Sequence, residues 1–154
     1  MPRGNGSEIL SCSGIVCKTA DETKVLAAKI AKILPVNSSL ALVGDLGSGK
    51  TTFVQGLATG FGIGESVTSP SFGIFSVYGG DVTLLHVDAY RLDGTRRAAE
   101  GLMLDDFLVP PFCLAVEWPE LLHGFVDSCD FKIFFSILDD FSRKISIERN
   151  GFRR

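Results

Sequence analysis

Residues 44–51 read Gly44-Asp45-Leu46-Gly47-Ser48-Gly49-Lys50-Thr51, which satisfies the P-loop pattern G-x-x-x-x-G-K-[ST] without a gap. The run Ser39-Leu40-Ala41-Leu42-Val43 before it has the apolar character of a buried strand. Phe53, Leu57 and Phe61 after it recur every four residues, as on the buried side of a helix. Strand, glycine-rich turn and helix, in that order, are the context in which this pattern carries meaning. Gly44, Gly47 and Gly49 let the backbone curl so that successive N–H groups point inward at phosphate oxygens. The following helix adds its positive N-terminal end. Lys50 is placed to reach the outer phosphates, and the Thr51 hydroxyl to ligate Mg²⁺. The alternative is an ordinary turn with a chance lysine, and the flanking elements weigh against it.

The 154 residues suit one domain over 1–154, with 1–8 as a flexible leader and 150–154 as a frayed tail. Hydrophobic residues are 45 % and charged residues 21 %, so a packed core is expected and wholesale disorder is not. A net charge of −3 argues against gripping nucleic acid by bulk electrostatics. The basic cluster Arg149, Arg153 and Arg154 reads as a solvated tail rather than an RNA contact. Four cysteines (Cys12, Cys17, Cys113 and Cys129) include no C-x-x-C pair, which argues against structural zinc and suits a reducing cytoplasm. Cys113 reads as a small buried residue. The N-terminus lacks the apolar stretch of a signal peptide, and no apolar run is long enough to span a membrane.

The remaining pattern predicts a mixed, mostly parallel α/β sheet flanked by helices, with antiparallel hairpin additions, as in P-loop NTPases. A short strand is expected within Ile9–Cys17. Thr19 and Glu22 have capping-box spacing before a helix with the stripe Leu26, Ile30, Ile33 and Leu34, which Pro35 helps to end. Gly60, Gly62 and Gly64 mark a turn. Phe72–Tyr78 and Val82–Val87 read as strands joined through Gly79-Gly80. Residues 93–108 show only short helical possibilities. Phe112–Val116 reads as a buried strand, and Asp130–Leu138 with Arg143–Glu148 as a closing hairpin around Asp139-Asp140.

A P-loop needs an acid at the end of a neighbouring strand to hold the metal or its water. Asp88 and Glu117 both end apolar runs, and the residues alone do not rank them. Thr68-Ser69-Pro70-Ser71 reads either as a γ-phosphate sensor or as a proline turn. His86 reads as a packing or hydrogen-bonding residue rather than a catalytic one. Trp118 reads more as a packing wedge than as a stacking platform. Arg91, Arg96 and Arg97 fit a solvated face, with a phosphate or partner contact as the alternative. His123 has no assigned role.

The chain resembles the TsaE family, also called YjeE. The blocks that carry the resemblance are Gly44-Asp45-Leu46-Gly47-Ser48-Gly49-Lys50-Thr51-Thr52-Phe53, Val67-Thr68-Ser69-Pro70-Ser71-Phe72, His86-Val87-Asp88-Ala89-Tyr90-Arg91-Leu92 and Val116-Glu117-Trp118-Pro119-Glu120. The first is shared by many NTPases; the other three together are specific to this family. The resemblance implies a small cytoplasmic ATPase, weakly active alone, that uses ATP and Mg²⁺. It would act with the TsaB–TsaD pair, which places threonylcarbamoyl on the adenosine beside the anticodon, so that tRNA is engaged indirectly and no membrane is involved. It implies nucleotide contacts along Gly44–Thr52, magnesium ligation by Thr51 and Glu117, catalytic roles for Lys50, Glu117 and Asp88, and further nucleotide contacts near Asp21 and Arg143. Ser71 and Ala89 depart from the commoner Thr and Leu. The acidic helix usual after Tyr-Arg-Leu is thin here, with Glu100 alone in Arg96–Glu100.

Two other readings compete. A small-molecule kinase usually has an Arg-rich lid, and few arginines cluster here. A nucleotide-holding regulatory module without turnover, or a GTPase, is the other; guanine readers generally carry Asn-Lys-x-Asp, which does not occur.

Overall fold

The computed structural model describes residues 6–70 and 74–151. Four strands form the centre of the sheet; three are largely buried on both faces, the pattern of parallel strands covered on both sides, while the fourth, Phe131–Ile137, buries one face alone. They are β2 (Ser38–Val43), β4 (Thr83–Asp88), β5 (Phe112–Glu117) and β6 (Phe131–Ile137). With β1 (Ile15–Cys17), β3 (Phe75–Tyr78) and β7 (Arg143–Arg149) they form a sheet in the order β1-β7-β6-β2-β5-β4-β3. The pairs β2–β5, β2–β6 and β4–β5 are parallel. The pairs β1–β7, β6–β7 and β3–β4 are antiparallel. The sheet is mixed and both hairpins are present, as the sequence predicts; the expected mostly parallel character holds for the central strands, and the antiparallel pairs lie at the two edges.

Two helices cover one face. After a helical turn α1 (Gly6–Ile9), α2 (Ala20–Ile33) packs along α3 (Lys50–Gly60). Their apolar sides, including Leu26, Ile30, Phe53 and Leu57, meet Leu40, Leu42, Leu84, Ile133 and Ile145 of the sheet in one core. The opposite face buries Ala41, Leu85, Val87, Leu114 and Val116 under short elements, among them α4 (Arg96–Gly101), α5 (Phe125–Ser128) and the 3₁₀ turn Pro119–Leu121. Alternation along β4 and β5 therefore sends His86, Asp88 and Glu117 to the α3 side.

Thr19 caps α2: its hydroxyl accepts from the Glu22 N–H at 3.1 Å. The Glu22 carboxylate accepts from the Lys18 N–H at 2.6 Å, so the reciprocal bond lands one residue earlier than the capping-box spacing predicts.

Three expectations are corrected. Gly6–Ile9 is helical, so residues 6–8 of the expected leader 1–8 are ordered, because Ile9 and Leu10 pack against the core; residues 1–5 lie outside the described residues. Arg149 is solvated but not in a frayed tail: it is exposed at the end of β7, with its guanidinium carbon 5.5 Å from the Phe131 ring centroid. Asn150 likewise is held, its side chain donating to the carbonyls of Asp127 and Cys129. Residues 152–154, and residues 72 and 73 at the start of the predicted first hairpin strand, are not among those described. Cys113 is buried as expected, and burial pushes its thiol up to about 12. No described helix is long and apolar enough to cross a membrane.

Candidate functional site

The 44–51 loop leaves the end of β2 and enters α3. Gly49, immediately before α3, has φ +105°, a left-handed conformation that side-chain-bearing residues rarely adopt. Gly44 is required by space: a Cβ there would lie 2.6 Å from Ser48 Oγ and 2.9 Å from the Phe135 carbonyl oxygen. The loop thus closes tightly against β6, with Ser48 Oγ itself buried and without a hydrogen-bond partner among the described residues.

Lys50 is only 5 % exposed. Its ammonium donates to the Gly44 carbonyl at 2.6 Å and lies 4.4 Å from the Trp118 ring centroid. A cavity of about 180 Å³ opens beside it, bounded by Gly44, Asp45, Trp118 and Glu120. Trp118 is therefore a cation–π partner of the loop lysine, and it also stands 5.3 Å from the Tyr90 ring. The packing-wedge reading missed this role, because only the sheet register brings residue 118 over residue 50.

The two strand-end acids stand side by side, Asp88 opposite Glu117 in the β4–β5 register. Their partners separate them. Glu117 is nearly buried, and its Oε2 accepts from the Thr51 hydroxyl at 3.2 Å and lies 2.6 Å from His86 Nε2. Asp88 accepts from the Tyr90 N–H at 3.1 Å and from the Ser69 hydroxyl at 3.4 Å. One acid thus faces the start of α3, and the other faces the Thr68–Pro70 loop. A hydroxyl beside a carboxylate is the kind of hard oxygen donor set that Mg²⁺ takes, one or two protein ligands with the rest of the shell from water and phosphate.

Three comparisons bear on this arrangement. A family model described as "Threonylcarbamoyl adenosine biosynthesis protein TsaE" matches residues 17–145. The chain belongs to the TsaE family. Among its relatives are the "tRNA threonylcarbamoyladenosine biosynthesis protein TsaE" of Treponema pallidum, 33 % identical over 132 residues that cover 86 % of this chain and 97 % of the relative, and that of Bacillus subtilis, 35 % identical over 134 residues that cover 86 % and 83 %. The fold is similar to a solved structure titled "Crystal structure of Bacillus subtilus YdiB", with TM-score 0.67 and 31 % identity, covering 91 % of this chain and 86 % of that one.

On the other side of its glycine-rich loop, this TsaE-family chain has a second cavity, about 160 Å³, between that loop and the closing hairpin. Arg143 is in its wall, its guanidinium donating to the Gly47 carbonyl at 3.1 Å and to the Phe141 carbonyl at 2.5 Å. Asp21 is exposed; the start of α2 reaches this cavity through Lys18, Thr19, Ala20 and Thr23 instead. Thr52 and Gly49 complete the floor, while Asp45 and Leu46 are exposed at the loop tip. Phe141 was not singled out in the sequence. It is 80 % exposed with φ +65°, a large aromatic held in a left-handed turn at the cavity edge. The aromatic directly after Asp139-Asp140 was the available signal. The larger cavity of about 440 Å³ lies beneath α4 and α5 and shares no residue with the loop. Arg91, Arg96 and Arg97 are exposed, as a solvated face requires.

Proposed function

We propose that this chain binds Mg²⁺–ATP on the 44–51 loop and hydrolyses it as the ATPase component of tRNA threonylcarbamoyladenosine formation in the cytoplasm, acting with the TsaB–TsaD pair. The observation that carries the reading is the placing of Lys50, Thr51 and Glu117 together at the N-terminus of α3. Family membership supplies the pathway, through the names of the relatives.

In this reading the loop N–H groups and the α3 terminus bind the phosphates. Lys50 exchanges the Gly44 carbonyl for a phosphate oxygen. Thr51 and Glu117 hold Mg²⁺, which neutralises phosphate charge when bound. The cavity edged by Arg143 and Phe141 takes the base and sugar. Asp88 orients the water that attacks the γ-phosphorus. Its contact to Ser69 links that acid to the Thr68–Pro70 loop, so that ordering of this loop follows the nucleotide state and alters docking on the partners. Ser71 and Phe72, which belong to the predicted sensor segment, lie outside the described residues.

The deciding experiment is an ATPase assay with and without the TsaB–TsaD pair, with Lys50→Ala as control. Faster hydrolysis with partners, abolished by Lys50→Ala, is the expected result. Equal rates across a range of partner concentrations would overturn the partnership. Stoichiometric phosphoryl transfer to a small molecule would point to a kinase instead.

A further inference from the structure

We propose that His86 is a positioning residue, one that fixes the Glu117 carboxylate through its Nε2–H; the proposal rests on Glu117 being a magnesium ligand. His86 is fully buried in β4, on the α3 side of the sheet, opposite Ala115 and so two residues from Glu117 along β5. Its Nε2 lies 2.6 Å from Glu117 Oε2, while Nδ1 is buried with no hydrogen-bond partner among the described residues. A hydrogen on Nδ1 would be a buried donor without an acceptor, whereas a hydrogen on Nε2 meets a carboxylate oxygen. The ring is therefore the Nε2–H tautomer.

Packing alone does not account for a histidine here. The surrounding core is aliphatic and aromatic, and a Leu would fill the space without leaving Nδ1 unpaired. The Glu117 oxygen has two donors, Thr51 and His86. If the Thr51 hydroxyl turns to the cation, as the proposed function requires, His86 is the donor left on that oxygen. It then holds the nearly buried carboxylate in orientation while the metal is loaded, the role outer partners of metal ligands commonly play.

The test compares wild type with His86→Leu and His86→Gln, whose amide nitrogen can stand where Nε2 stands. Ring ¹⁵N NMR of the wild type reads the tautomer. ADP affinity in EDTA reads nucleotide binding alone, and electron paramagnetic resonance of Mn²⁺ with ADP reads the metal. Expected are the Nε2–H tautomer, ADP affinity of His86→Leu in EDTA within about two-fold of wild type, and Mn²⁺ affinity about 10- to 100-fold weaker, largely restored in His86→Gln. An Nδ1–H ring, unchanged Mn²⁺ affinity in His86→Leu, or equal losses of metal and metal-free nucleotide binding in both variants would overturn it. If the leucine variant does not fold, the tautomer and the glutamine variant decide. A wild type that takes up ADP but no Mn²⁺ removes Glu117 as a ligand, and one that takes up neither removes the nucleotide reading itself.

Discussion

The Lys50 ammonium rests against the Trp118 indole, 4.4 Å from the ring centroid, with its other contact to the Gly44 carbonyl. Trp118 adopts φ +54°, a left-handed conformation at the end of β5 that turns the chain just after Glu117. A cation–π contact contributes about 0.5–2 kcal/mol depending on desolvation, and a nearly buried lysine belongs to the upper part of that range.

This pair makes nucleotide binding optically visible. Trp118 is the sole tryptophan, so its emission reports on the loop lysine without labelling. Adding Mg²⁺–ATP should shift that emission as Lys50 moves to phosphate. Lys50→Ala should weaken binding by about one to two orders of magnitude, the loss of a charged hydrogen bond contributing about 1.5–3 kcal/mol. Calorimetric titrations giving the same dissociation constant for both proteins would remove Lys50 from the phosphate site.

Asp88 separates capping from chemistry. Its carboxylate accepts from the Tyr90 N–H and caps the 3₁₀ turn Ala89–Arg91. Asn keeps an acceptor there but removes the charge, so Asp88→Asn should leave stability and ATP affinity near wild type. Partner-stimulated turnover should fall about 10²-fold or more if the charge orients the attacking water. Asp88→Ala should in addition lose about 0.5–2 kcal/mol of local stability with the cap. Normal turnover in Asp88→Asn, measured with partners, would refute the role.

The parts of the site that lie within one stretch of chain were legible in the sequence. Residues 44–51 declare their loop because conformation and chemistry there depend on neighbouring residues alone. The strand-end acids were also visible, since each closes an apolar run. Their ranking was not legible in the residues themselves and came only through the family resemblance: Thr51 meets Glu117 across 66 residues, and the strand order decides which acid faces α3. Trp118 over Lys50 and His86 against Glu117 were hidden for the same reason. At α2 the capping signal was local, and the structure shifted its reciprocal bond by one residue, from the Thr19 N–H to the Lys18 N–H.

Asp140 gives the closing hairpin a pH dependence. The Ser142 hydroxyl, then the Ser142 N–H, hold its carboxyl below the usual carboxylate range. A depressed folded value means the contribution is present above the unfolded value of about 3.9 and is lost as pH falls through the lowered folded value. Carbonyl ¹³C NMR should show Asp140 titrating below about 3.9. The stability gap between wild type and Asp140→Ala should narrow with acidification below that point. Titration at or above the ordinary value would show that the turn holding Phe141 and Arg143 is not fixed by this carboxylate.

Gly56 sets how closely α2 and α3 approach. A Cβ there would lie 2.5 Å from the Lys24 carbonyl oxygen, 2.6 Å from Ala27 Cβ and 2.8 Å from Lys24 Cα. Two of these are backbone atoms, so the helices must separate rather than a side chain swing away. Overpacking of this kind costs about 1–3 kcal/mol. The better helix propensity of Ala returns about 1 kcal/mol, and the steric term should win. Gly56→Ala should lower Tm by up to about 8 °C, taking about 2–4 °C per kcal/mol for a chain of this size. Gly101→Ala at the end of α4, where a Cβ meets nothing within 4 Å, is the control and should leave Tm unchanged or slightly raised. Because α3 begins at Lys50 and Thr51, a displaced helix should also weaken Mg²⁺–nucleotide binding, which the control should not. A Gly56→Ala protein as stable as the Gly101→Ala protein would mean that α2 and α3 do not touch as closely as described.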